Sequence, residues 1–408
     1  MNSYTAVFAP AGSVLFTVGS VLARLGAISL SLSMILLLSM NYGSFALVGF
    51  LSATGLIALV VLHPWTARLT DRHGQGKVTA AAAGIAALSY AAFLACAHWK
   101  APAWTLFPAY ALAMGSSPNV SGMVRRRWAH LHDGSTRRAA NAVEQVADEL
   151  CFLSGPILAT ILVTSVFPEA GVLASGVLLV TGMLLFAGQR RTEPPADPAA
   201  GRRESSPLRR PSVWAVLMPY ALVGILFGAL DVTTVKHTTS MDSRSAAGVL
   251  LSMIALGSAI SGLAFGKVRP RSEPRVPFIV SVAALAVLTC VPLAAARLLP
   301  DSLPAIGAAM FAVGIGTAPV IILGTSIVQA CVPEARLNEA LVWPSSAITG
   351  GNATGNALTG WIVDHAGDSS GYWVPVVVGP AALLAAYAGL ALHRRTDDDC
   401  VAAEDVGV

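Results

Sequence analysis

Charge is what this sequence has least of. Only 12% of its 408 residues are Asp, Glu, Lys or Arg, about half the share of a soluble domain. Hydrophobic residues make up 55% and the mean hydropathy is +0.67. That composition lacks the material for a solvated surface and excludes an ordinary soluble domain. Cysteines are few: Cys96, Cys151, Cys290, Cys331 and Cys400 show no paired spacing, and most lie in or beside apolar runs. They read as small packing residues, with no disulfide or metal framework. No polar stretch is long enough for a soluble nucleotide-binding domain, so an ATP-driven pump is excluded. There is no phosphate loop, zinc spacing or arguable Ser-His-Asp set, so no enzyme activity and no cofactor or metal is expected. The net charge of +4 is spread over short loops, which argues against a nucleic-acid partner.

What the chain does have is long apolar runs. A spanning helix needs about 20 mostly apolar residues to cross roughly 30 Å of hydrocarbon. Only helices and closed barrels satisfy the backbone there, and a barrel would show alternating segments of about ten residues. Unbroken runs predict helices at approximately 11–40, 45–62, 78–98, 103–123, 140–167, 170–188, 213–236, 246–266, 276–297, 303–330, 338–363 and 372–393. The first run is too long for a signal-peptide core and lacks a basic flank, so it is expected to stay as the first helix. The lipid bilayer is thus the medium of an all-α integral membrane fold.

Placing the N-terminus inside puts nearly all of the 26 lysines and arginines on the cytoplasmic side. The exceptions are Lys100, Lys236, Arg244 and Arg297 outside and Arg24 within the first helix. This asymmetry orients both termini to the cytoplasm and supports an even helix count. The longest polar stretch, 188–210, is rich in proline and arginine and reads as a flexible cytoplasmic linker. It separates a six-helix bundle at 1–187 from another at 211–395, followed by an acidic, irregular tail at 396–408. The halves look like distant copies: GSSPNV (115–120) and SGP (154–156) in one, GTAPVI (316–321) and GGNATG (350–355) in the other. Two pseudo-symmetric bundles are a recurrent transporter plan. Arginine greatly outnumbers lysine and alanine is abundant, which suggests a high-GC bacterial genome and hence a bacterial inner membrane.

The loop after the second helix reads ARLTDRHGQGK (67–77). It resembles the loop-2/3 signature of the major facilitator superfamily, Gly-x-x-x-Asp-Arg-x-Gly-Arg-Lys/Arg. Asp71, Arg72 and Gly74 match and Lys77 supplies the trailing cation, while Ala67 replaces the first glycine and Gln75 and Gly76 the basic pair. A carboxylate there can dock on a facing helix N-terminus or pair with arginines. The resemblance implies a latch that stabilises one state of an alternating-access cycle; simple positive-inside anchoring is the alternative. In the fifth helix, CFLSGPILAT (151–160) resembles the antiporter motif of the superfamily's exporters, with Gly155 and Pro156 matching and Cys151, Ala159 and Thr160 at the other glycine positions. That likeness implies efflux.

Charges inside the membrane are functional candidates by default. Arg24 lies near the middle of the first helix on a face with Thr17, Ser20 and Ser31. Helix five supplies Glu144, Asp148 and Glu149, and a pair between Arg24 and Asp148 or Glu149 is expected, either as a proton-coupling element or as a static ion pair with Glu144 favoured by the helix N-terminus. Helix seven places Tyr220, Gly224, Phe227, Asp231, Thr234 and Thr238 on one face. Asp231 lies toward its outer side, with Lys236 or His237 as neighbour, and reads either as a cavity-lining charge or as an interfacial, hydrated carboxylate; His237 reads as a surface residue. Substrate-cavity candidates are Ser20, Ser31, Asn119, Tyr220, Phe227 and Thr317, with Ser116, Gln329, Trp343, Asn352 and Asn356 further afield. Tight packing through small residues is the plainer reading of helix eleven.

These readings point to a multi-pass secondary transporter driven by the proton gradient, and the family resemblance implies a monomer. Its expected work is efflux of a small, partly apolar organic compound. Proton-coupled uptake of a small metabolite is the runner-up, and a membrane-embedded sensor or enzyme the rival from another class.

Overall fold

The computed structural model describes residues 7–132, 134–196, 211–265, 275–331, 337–367 and 369–405, and every regular element among them is helical. In chain order the helices are α1 Ser13–Asn41, α2 Phe45–His73, α3 Gln75–His98, α4 Leu106–Gly115, α5 Val120–Leu131, α6 Gly134–Ser165 and α7 Ala170–Gly188. They continue as α8 Pro211–Ser240, α9 Ala247–Phe265, α10 Arg275–Leu288, α11 Cys290–Leu298, α12 Leu303–Cys331, α13 Leu337–Ala366 and α14 Trp373–Asp405. Each predicted apolar run appears as helix. Ten segments among the described residues are long and apolar enough to cross a membrane. The other two predicted runs are the broken α4–α5 and the Gly-, Asn- and Thr-rich α13.

Local chemistry explains the departures from the predicted bounds. The fourth run breaks at 116–119, where Pro118 lacks an N–H and Asn119 restarts the chain as N-cap, accepting the Gly122 N–H at 3.0 Å. His63 Nε2 lies 2.9 Å from the Ser117 carbonyl left at that break. The ninth run is interrupted at Thr289; α10 ends at Leu288, the position whose carbonyl clashes with the ring of Pro292 four residues on. The expected loop 67–77 is mostly helix. Only Gly74 turns the chain, at φ +90°, a conformation that favours glycine. The last helix runs to Asp405, where an irregular tail was expected from 396.

The chain divides into two compact units, Met1–Arg203 with Thr238–Ser252, and Glu204–His237 with Met253–Val408. In the first, α1 packs most extensively on α7. Glycines permit the approach: a Cβ on Gly26 would lie 2.5 Å from the Ser175 carbonyl oxygen, and one on Gly19 2.8 Å from that of Gly182. The predicted boundary leaves 238–252 in the second half, but here they join the first. Gly248 lets this segment close on the Pro156 carbonyl, and Ser252 Oγ donates to the Leu153 carbonyl at 2.7 Å.

In the second unit the tight seam is α8 against α13. Gly224 and Gly228 face the Ile348 and Asn352 carbonyls, and Gly351 and Gly355 face those of Ala221 and Ile225. A further contact is forced by sequence. Pro319 within α12 has no N–H for the Ile315 carbonyl, and Ser261 Oγ on α9 donates to that oxygen at 2.7 Å.

Candidate functional site

The first unit holds an intramembrane charge network. Helical spacing of four puts Ser20 and Arg24 on one face of α1, and Glu144 and Asp148 on one face of α6. Arg24 Nη2 lies 2.8 Å from Glu144 Oε2, and Nη1 lies 2.7 Å from Asp148 Oδ1. Its remaining donors are used locally, Nε to the Ser20 carbonyl at 3.2 Å and Nη2 to Ser20 Oγ at 2.9 Å. Glu144 is fully buried and also accepts the Trp128 indole N–H at 3.3 Å. The Asp148 side chain is 17% exposed; it accepts from Ser121 Oγ and from Arg125 Nη2, both at 3.2 Å. Two cations and two carboxylates thus form one neutral group, sealed at Glu144 and open at Arg125. The sequence reading offered Asp148 or Glu149 to Arg24; Asp148 takes it, with Glu144 in place of Glu149. Glu149, half-buried, is turned about 100° around the helix from Asp148. Ser121, Arg125 and Trp128 were not anticipated as members.

The loop-2/3 residues form a second cluster. Asp71 pairs with Arg126 of α5, so this carboxylate meets an arginine. The carboxylate on a helix N-terminus is Glu193, whose Oε1 accepts the Gly76 N–H at 2.9 Å in the first turn of α3. Residues after α7 that were read as the start of a flexible linker form a turn at Arg190–Thr192 and dock here; positions 197–210 lie outside the described residues.

Arg127, fully buried, anchors that dock. Its guanidinium donates to Gln75 Oε1 at 2.8 Å and to the Gln189 carbonyl and Thr192 Oγ1 at 3.0 Å, and it lies 3.8 Å from the Phe186 ring centre. Arg127 lies beyond the predicted fourth span. Burial lowers it to about 10, and the Glu193 carboxylate opposes that shift. The sequence signal was available: Val120, Met123, Val124, Arg127 and Trp128 follow a helical core spacing in which Arg127 takes an apolar position.

The 151–160 segment is packed on α1. A Cβ on Gly155 would lie 2.7 Å from Ile28 Cγ2, Ser29 Oγ donates to the Gly155 carbonyl at 3.3 Å, and Cys151 Sγ lies 3.7 Å from the Val21 carbonyl oxygen. Ser31 is half-buried, and Asn119, expected to line a cavity, serves as the N-cap of α5.

In the second unit Asp231 is half-buried on α8. Asn352 Nδ2 donates to its Oδ2 at 3.4 Å, and Asn356 Nδ2 donates to Asn352 Oδ1 at 2.7 Å. Among the described residues no cation forms an ion pair with Asp231. Phe227, one turn earlier on the same face, is half-buried. Tyr220 and Thr317 are buried instead of exposed to a cavity: Tyr220 OH donates to the Ile321 carbonyl at 2.6 Å, and Thr317 Oγ1 to that of Val313 at 3.0 Å. His237, read as a surface residue, is buried against the Pro300 carbonyl and the Tyr372 ring. The side chain of Gln329 and residues 266–274, between α9 and α10, lie outside the described residues.

The sequence profile of the Major Facilitator Superfamily matches residues 16–299 and 232–403. No curated protein sequence matches the chain. Among solved structures the chain is similar to nucleoside transporter NupG, at 14% identity and TM-score 0.70, covering 96% of this chain and 99% of that one. A bacterial homologue of the iron transporter ferroportin, in an inward-facing state, matches at 14% identity and TM-score 0.72, covering 92% and 98%. An auto-inhibited peptide transporter of the POT family matches at 13% and TM-score 0.71, covering 95% and 97%. Identities this low carry the fold alone.

Proposed function

The chain belongs to the Major Facilitator Superfamily, a secondary transporter and not an enzyme, and from that premise we propose that it exports a small, partly apolar organic compound in exchange for protons. The observation that carries the coupling is Arg24 held between two carboxylates, one sealed and one reachable from water. Asp148 is the reachable one. A proton delivered to it removes a negative charge from the network and leaves Arg24 to Glu144 alone, while Arg125 loses its partner. Protonation of Asp148 would thus give the four charges a second arrangement, as a transport cycle requires. Asp71 and Arg126 add an ion pair between α2 and α5 that opens if those helices part.

The direction rests on the likeness of 151–160 to the exporters' motif. The similar structures named for nucleosides, peptides and iron span several substrate classes and do not decide it. The lysine and arginine asymmetry favours cytoplasmic termini, the composition favours a bacterial inner membrane, and the family membership favours a monomer.

Inside-out vesicles with an acidic lumen test the coupling, using wild type and Asp148→Asn at matched expression and a panel of hydrophobic compounds. Compound-triggered proton release from wild type alone is expected. Release from both moves the proton off Asp148. Compound movement of the opposite sense, into the cell with protons, replaces export with uptake.

A further inference from the structure

We propose that Asp231, held by Asn352 and flanked by Phe227, is the anchor for a positive charge on the transported compound, which makes the substrate class organic cations such as lipophilic amines. This deepens the export reading and rests on the chain being a transporter of small organic compounds.

The inference starts from a charge that the fold leaves standing. Asp231 sits within a membrane-spanning stretch, Val213–Ser240, toward its outer side. A carboxylate at that depth is costly unless it is paired or meets water. Within its own unit the described residues supply one long N–H from Asn352 and no cation. Asn356 fixes the Asn352 amide through its oxygen, which turns the Asn352 nitrogen toward Asp231. The ladder supplies a donor and no charge, so it orients the carboxylate without neutralising it. The nearest basic residues in sequence point elsewhere: Lys236 lies about 140° around the helix, and His237 faces Pro300 and Tyr372.

The surroundings suit an organic ion. Phe227 precedes Asp231 by one turn on the same face, half-buried, so an aromatic surface adjoins the carboxylate. A carboxylate beside an aromatic face recognises alkylammonium-type ions through ion pairing and cation–π attraction together. Gly224 and Gly228 hold the α8 backbone tightly on α13, which keeps Asp231 and the Asn352–Asn356 ladder at a set distance. A half-buried side chain keeps part of its surface uncovered, and a charge within a spanning helix turns to the bundle interior or a water-filled cavity and not to lipid.

Equilibrium binding tests this without any gradient, so it can fail while proton exchange stands, and the reverse. Purified full-length protein is dialysed against labelled tetraphenylphosphonium, a permanent cation, and against triphenylphosphine oxide, a neutral aromatic of similar shape. Wild type is expected to bind the cation at least tenfold more tightly. Asp231→Asn is expected to lose that tenfold while its affinity for the neutral compound stays unchanged and its melting temperature does not fall, and Asp231→Glu to keep most of it. Equal wild-type affinity for the two probes overturns the proposal, as does absence of cation binding. So does an equal loss of both probes in Asp231→Asn, which makes the residue structural. Displacement of the cation by sodium but not by potassium or choline assigns the carboxylate to a metal ion instead.

Discussion

The first helix of each unit carries one deep charge, and the two are treated in opposite ways. On α1, Arg24 engages all three guanidinium nitrogens, meeting two carboxylates and Ser20. On α8, Asp231 has a single long amide contact. Packing is common to both: glycines on α1 let α7 in, and glycines on α8 let α13 in. In both units the first helix is packed through glycines, against the sixth run in one and the eleventh in the other, while its polar content differs, because a Cβ in either seam is forbidden and a charge is permitted wherever it is compensated. The compensated charge is built into the fold. The uncompensated one is left for something that comes and goes.

The largest expected effect tests the built-in charge. Arg24→Met leaves Glu144 fully buried with no cation and Asp148 with Arg125 alone. Removing one partner of a buried ion pair costs about 3–5 kcal/mol, and thermal unfolding in detergent should show a loss of that order. Adding Glu144→Gln and Asp148→Asn to the same protein should recover most of it. If Arg24→Met melts like wild type, the network is not structural and the contrast with Asp231 disappears.

An intermediate effect tests the shared packing. Gly26→Ala puts a methyl 2.5 Å from the Ser175 carbonyl oxygen, a contact with backbone that no rotamer relieves. Overpacking of this kind costs about 1–3 kcal/mol. Gly350→Ala on α13 meets nothing within 4 Å, so the better helix propensity of alanine should leave it neutral or stabilise it by somewhat under about 1 kcal/mol. Equal melting of the two variants would show that the glycine seams do not set the fold.

Much of this was legible in the sequence and some was not, for identifiable reasons. Apolar length alone marks the helices, because lipid admits little else. The break at 116–119 was not anticipated because an apolar run conceals a short interruption, although Ser116-Ser117-Pro118-Asn119 is a stop followed by an N-cap. Asp148 was reachable from Arg24 by depth and face, and the same spacing argument would have chosen Glu144 over Glu149. Arg127 was hidden by Arg125 and Arg126, its solvent-facing neighbours in a basic run that reads as an anchor. Only the apolar residues three and four positions before it and one after it reveal a core position. The docking of Glu193 on α3 was beyond reach, since it joins positions separated by a hundred residues and more.

The smallest expected effect is the most discriminating, and its sign carries the information. Asp231→Asn keeps the shape of the side chain and an oxygen for the Asn352 N–H while removing a charge that the second unit does not balance. Its side chain is not fully covered, which reduces what that charge costs. The fold should gain stability, by about 1 kcal/mol, in the same detergent melt that registers the loss in Arg24→Met. A group whose neutralisation stabilises the protein is held against the interest of the fold, and proteins hold such groups where activity needs them. The prediction therefore separates two kinds of deep charge with one measurement. Should Asp231→Asn instead melt several degrees lower, a partner for the carboxylate must lie beyond the described residues, and Asp231 would join Arg24 as a structural ion with no ligand to await.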